Sequence, residues 1–135
     1  MKFERTTDNP MHGVLGIIRD DDRLLMIQRS ANVRAPLAWC FPGGQIEDGE
    51  SQEQALIREM REEILVEVTP GRLLMTQTKY NGALILHCWS AEIHAGRPTP
   101  NPREIADIQW MSPAQVRALQ GVLPGTTEIL DTIGL

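Results

Sequence analysis

Glu59, Glu62 and Glu63 fall within a five-residue stretch, a spacing that acquires chemical meaning if the stretch is helical. Helical residues at i, i+3 and i+4 emerge on one side. The three carboxylates then share a face roughly a third of a turn from an apolar arc of Leu56, Ile57, Met60 and Ile64. Like charges gathered this way destabilise a helix unless something cationic compensates. Arg58 and Arg61 are near in sequence, but their positions direct them away from the shared arc. Hard divalent cations take oxygen ligands and are held by a few carboxylates together with substrate phosphates. Two readings follow, a solvated acidic face or a metal site. The absence of alternating sign beside a buried stripe favours the metal.

The elements that must position this helix can be read around it. Ser51 is a good N-cap, and Gln54 three residues on completes a capping box. Residues 13–19 and 24–29 are apolar runs joined by Asp20-Asp21-Asp22 and predict a β-hairpin. A loop over residues 32–36 leads to a short strand at 39–41, which Pro42-Gly43-Gly44 should end. Strands are predicted at 66–68, 73–78 and 83–93, with turns at Pro70-Gly71 and Asn81-Gly82. A proline-rich loop (97–103), a strand (105–111), a helix opened by Ser112-Pro113 and a last helix near 127–133 complete the chain. The mixture predicts an α/β fold, a sandwich around a mixed sheet.

Composition bounds the partners. The chain has 135 residues, enough for one domain over residues 1–135, with 41% hydrophobic and 23% charged residues. Its net charge of −5 argues against duplex nucleic acid, whose phosphates select basic proteins. No apolar run approaches membrane-spanning length, and the polar start has no signal-peptide core, so a cytoplasmic protein without membrane contact is expected. Cys40 and Cys88 stand alone in apolar surroundings and read as reduced core thiols. His12, His87 and His94 show no ligand spacing.

One resemblance organises these features. Gly44, five residues, Glu50, seven residues, Arg58-Glu59, the aliphatic-like Met60, Arg61 and Glu62-Glu63 resemble the Nudix box, approached through Phe41-Pro42-Gly43. The chain looks like the short MutT-like subgroup of that family, which includes 8-oxo-dGTP diphosphatases and cytidine triphosphate pyrophosphohydrolases. The likeness runs from about residue 13 to residue 133 and includes segments around Leu86 to Trp89 and Ile108 to Pro113. It implies a Nudix-type α/β/α sandwich and a Mg²⁺ site, with Mn²⁺ as a substitute, formed by Glu59, Glu62, Glu63 and the carbonyl of Gly44. Glu50 and Arg58 would be a structural pair. Glu104, ahead of the last strand, is the candidate general base, with Glu62 or Glu63 as the other contenders. Arg29 would contact substrate phosphates. Phe41, Trp89 and Leu123 are candidate walls for the base, or plain core.

Two departures bear on geometry and substrate. Leu65 stands at the box position that is usually glycine, so it must either adopt a left-handed backbone at a cost of about 1 kcal/mol or leave the helix differently. Near the C-terminus, Leu123 to Glu128 supplies threonine, with Thr127 as the candidate contact, where MutT-like enzymes read oxidised guanine with an asparagine. A hydroxyl makes fewer directed hydrogen bonds than an amide. The expected reaction is hydrolysis of a nucleoside triphosphate, canonical or modified, to monophosphate and pyrophosphate by a monomer or homodimer. The alternatives are hydrolysis of a nucleotide conjugate (ADP-ribose, a dinucleoside polyphosphate or coenzyme A) and nucleotide sensing without turnover.

Overall fold

The computed structural model describes residues 9–135, so residues 1–8 of the polar start lie outside it. The first two apolar runs become β1 (Met11–Asp20) and β2 (Arg23–Arg29), joined by a turn at Asp21-Asp22. The hairpin is brief. The strands pair only at Arg19–Leu24 and Asp20–Arg23 and then separate into different ladders. β1 runs antiparallel to β4 (Gly43–Gln45) and parallel to β6 (Leu84–Ala95), while β2 lies between β3 (Trp39–Cys40) and β7 (Ile105–Met111). β5 (Glu67–Lys79) pairs with β6 through the Asn81-Gly82 turn and forms one end of the strand order.

β3 ends before Pro42-Gly43-Gly44, as expected, but Gly43 and Gly44 are no loop and at once begin a strand of their own. The Pro42 carbonyl accepts from the Gly16 amide, and the chain then re-pairs with β1 as β4. Pro70-Gly71 is likewise no turn, because β5 runs through it as one strand. The register shift between Pro70 and Leu73 absorbs the irregularity, and an edge strand tolerates a proline that cannot donate to the ladder.

Helices cover both faces. α1 (Gln52–Ile64) begins at the Ser51–Gln54 capping box and buries Leu56, Met60 and Ile64 against Val14, Ile18, Val66 and Val68. On the opposite face, α2 (Pro113–Ala118), capped by Ser112 and Gln115, and α3 (Thr126–Thr132) pack Val116, Ile129 and Leu130 against Ile17, Met26 and Phe41. The result is the expected α/β/α layering around a mixed sheet. Among the described residues no helix is long and apolar enough to cross a membrane.

Candidate active site

The loop before α1 is tied to the helix by one arginine. Arg58 donates through Nε to Glu50 Oε2 at 2.7 Å and through Nη2 to Glu50 Oε1 at 2.9 Å, a bidentate pair, and also reaches the Gln45 carbonyl at 2.9 Å. These bonds from Arg58, helped by the Glu47 amide, hold the Glu50 carboxyl down at about 2. The pair expected from the sequence is therefore present. The direction of Arg58 is not as expected, however. Its Nη1 donates to Glu59 at 2.9 Å and Glu62 at 3.1 Å, so it lies against the carboxylate face, whereas Arg61 turns away to Glu67. A long, flexible guanidinium beside three carboxylates follows Coulomb attraction rather than its Cα direction.

Glu63 is 5% exposed and accepts one backbone bond, from the Gly43 amide at 2.8 Å. Burial, followed by the charge of Glu59, pushes its carboxyl well above the ordinary range. Glu59 lies directly over Gly44, where a Cβ would come within 2.4 Å of its carboxyl carbon. Burial is also the leading cause of its raised pKa, with Arg58 opposing. Glu104, exposed in the turn before β7, adds its charge to the repulsion felt by both Glu59 and Glu63. Among the described residues, no three acidic, imidazole or thiol side chains converge closely enough to hold a metal as they stand, since Glu62 is drawn to Arg58. The donor set nonetheless fits a hard divalent cation. It is all oxygen, partly desolvated and short of positive charge, and at Gly44 only a residue without a side chain leaves room for Glu59.

This corner adjoins a cleft of about 1290 Å³ that opens where β1 and β2 separate. Met11, Gly13 and Leu15 line one wall, and Ile27 and Arg29 line the other. Gly43 and Gly44 close the carboxylate end, and residues 123–126 stand across from β5. Arg29 is thus in the cleft, braced by donation from Nε to the Arg34 carbonyl at 2.6 Å. Phe41 serves both suggested purposes, lining the cleft while packed in the core at 2% exposure. Leu123 lines the cleft, but Trp89 does not. It packs on the α1 side and donates to Gln52 Oε1 at 2.8 Å. Thr126, not Thr127, lines the cleft, because α3 starts at Thr126 and the next residue is rotated by about 100° around the helix.

Three features are absent from the sequence reading or left open by it, and a fourth, the pair of buried thiols, is as expected. Gln77 and Lys79 reach from β5 to the carbonyls of Gly125 and Pro124, pinning the wall that contains Thr126. His12 Nδ1 and His87 Nε2 are 2.9 Å apart, with ring centroids 5.2 Å apart and planes within 3°. Two five-membered rings meet those distances edge to edge, so this is a hydrogen-bonded pair rather than a stack. Burial, then the charge of His12, lowers the pKa of His87. Leu65 resolves the alternative posed by the missing glycine: its φ and ψ are 59° and 37°, left-handed. Cys40 and Cys88 are free buried thiols, each pushed up to about 12 chiefly by burial.

The NUDIX domain sequence model matches residues 10–132. The chain belongs to the NUDIX family. A CTP pyrophosphohydrolase of Escherichia coli (strain K12) is 38% identical over 104 residues, 76% of each chain. An 8-oxo-dGTP diphosphatase of the same strain is 35% identical over 103 residues, covering 73% of this chain and 77% of the relative. The solved MutT NUDIX hydrolase from Burkholderia pseudomallei superposes with a TM-score of 0.82, covering 93% of this chain and 98% of that one at 23% identity. NUDIX hydrolases generally use divalent metals, in keeping with the oxygen donors at the cleft end. This chain is therefore a homologue of NUDIX pyrophosphohydrolases with the α/β/α fold of that family.

Proposed function

We propose that this NUDIX protein hydrolyses a nucleoside triphosphate to the monophosphate and pyrophosphate, with Mg²⁺ held by Glu59, Glu62, Glu63 and the Gly44 carbonyl. The observation that carries this reading is the desolvated, mutually repelling pair Glu59 and Glu63 packed on Gly43 and Gly44 at the closed end of the cleft. The chemistry an ion supplies there is neutralisation of phosphate oxygens and acidification of water. Glu62 leaves Arg58 to complete the ligand set, and Arg58 keeps Glu50 and the loop in place. Glu104 takes the proton of the attacking water, Arg29 orients the phosphates, and the base lies between Phe41 and the wall of residues 123–126. Water oxygen bonds to phosphorus, the bond to the bridging oxygen breaks, and the pyrophosphate leaves with its electron pair.

Supporting the substrate class are the two relatives named for triphosphate substrates. The test is a product-resolved screen of canonical, oxidised and methylated nucleoside triphosphates, with nucleotide conjugates alongside, in Mg²⁺ or Mn²⁺. Release of monophosphate and pyrophosphate is expected. No metal-dependent release from any compound would refute the proposal and leave nucleotide sensing in its place.

A further inference from the structure

Gln77 is 4% exposed and lines the cleft from β5. Its Nε2 donates to the Gly125 carbonyl at 3.1 Å, while its Oε1 is buried without a hydrogen-bond partner. The orientation is set by chemistry. Turning the amide over would bring Oε1 against the carbonyl oxygen of Gly125, leaving two acceptors facing each other. Gly125 has φ of +96°, and a Cβ there would come within 2.7–3.0 Å of all three terminal amide atoms, so the residue covering Gln77 is one that has no side chain. Buried acceptors without partners are rare in native proteins and are satisfied by water or a ligand.

We propose that Gln77 Oε1 is the acceptor that reads an exocyclic amino group of the nucleobase, so that the cleft selects amino-bearing bases over their oxo counterparts. This rests on the nucleotide-hydrolase reading above. The oxygen is covered by the turn at residues 123–125, which the Gln77 and Lys79 bonds tie to β5, so the assignment requires those bonds to yield and the turn to shift outward when the base binds. Cytosine and adenine present N–H donors from their amino groups. Uracil and hypoxanthine carry a carbonyl at the same corner of the ring, whose lone pairs face those of Oε1. A site that hydrogen-bonds one partner leaves its own group unpaired with the other, and this difference discriminates.

The experiment measures kcat/KM for the matched pairs CTP/UTP and ATP/ITP on the full chain with Mg²⁺, in wild type and in Gln77→Met. The expected wild-type preference is about tenfold or more for the amino member of at least one pair, and Gln77→Met should bring that ratio close to one. Each ratio comes from a single preparation, so loss of folded protein lowers both rates and cancels. Gln77→Leu provides a second volume-conserving variant with the same expected collapse. Hydrolysis without amino preference in wild type, or a preference that survives in both variants, overturns the assignment of Gln77 while leaving the hydrolase standing. Hydrolysis of none of the four overturns the assignment of Gln77, and the hydrolase reading falls with it only when the wider nucleotide screen also releases no product.

Discussion

Leu65 offers a test in which the ordinary order of two residues should invert. Inside a helix, glycine is less stable than alanine by about 1 kcal/mol. At Leu65 the backbone is left-handed, φ 59° and ψ 37°, where a Cβ costs about 1–2 kcal/mol. The chain has no easy way to relax. The Ile64 carbonyl accepts from the Thr99 amide at 2.9 Å, the Leu65 amide bonds back to Met60, and the Leu65 carbonyl lies within 2.9 Å of where a Cβ on Gly96 would stand. The leucine side chain is 53% exposed, so truncating it to alanine gives up about half of a leucine's burial, about 1 kcal/mol, and keeps the strain. Leu65→Gly loses the same contacts but removes the strain, offset by about 0.5 kcal/mol of extra freedom in the unfolded chain. Leu65→Gly should therefore be more stable than Leu65→Ala by about 1 kcal/mol, or about 4 °C in Tm for a chain of this size. Urea unfolding and thermal melts of the pair at neutral pH measure the difference. Alanine equal to or better than glycine would mean that Leu65 carries no backbone strain.

Other outcomes are expected of the site and the fold. Glu62→Gln and Glu63→Gln should each lower turnover by about two orders of magnitude or more while far-UV circular dichroism stays unchanged; near-wild-type rates from both would remove them from the ion site. Glu104→Gln should lower kcat with little change in the Mg²⁺ concentration giving half-maximal rate. A large rise in that concentration would make Glu104 a ligand instead of the base. Burial depresses the pKa of His87, so the folded state disfavours its proton. The stability this gives is present above pH 6.5 and declines as pH falls from there through the lowered folded value. Urea midpoints between pH 7.5 and 5 should fall less steeply in His87→Leu than in wild type, and parallel slopes would contradict the assignment.

The parts of the site readable in advance were those encoded within a few residues. The Ser51–Gln54 capping box and the Glu59-Glu62-Glu63 spacing are local, so α1 and its carboxylate face could be placed from sequence alone. The missing glycine at Leu65 was equally visible, because a helix end must turn somewhere. Contacts between distant segments were not visible. Gln77 and Gly125 are 48 positions apart, and nothing in the alternation of β5 distinguishes Gln77 from any other strand residue facing inward. Thr126 and Thr127 are not distinguishable from sequence, because the first residue of α3 is not fixed there to a single position. The Cα direction of Arg58 points away from the carboxylates, and the reach of its side chain and their field decide where the guanidinium lies.

The brief pairing of β1 with β2 has a mechanical consequence. Two walls of the cleft, Met11 to Leu15 and Ile27 to Arg29, are arms of one hairpin whose shared rungs lie at its apex, beside Asp21-Asp22. Each arm is clamped along its length by other partners, β1 by β4 and β6 and β2 by β3 and β7. The cleft is thus a seam between two ladders, and the hydrogen bonds of each hold its own lip in place independently of the polar turn that joins them.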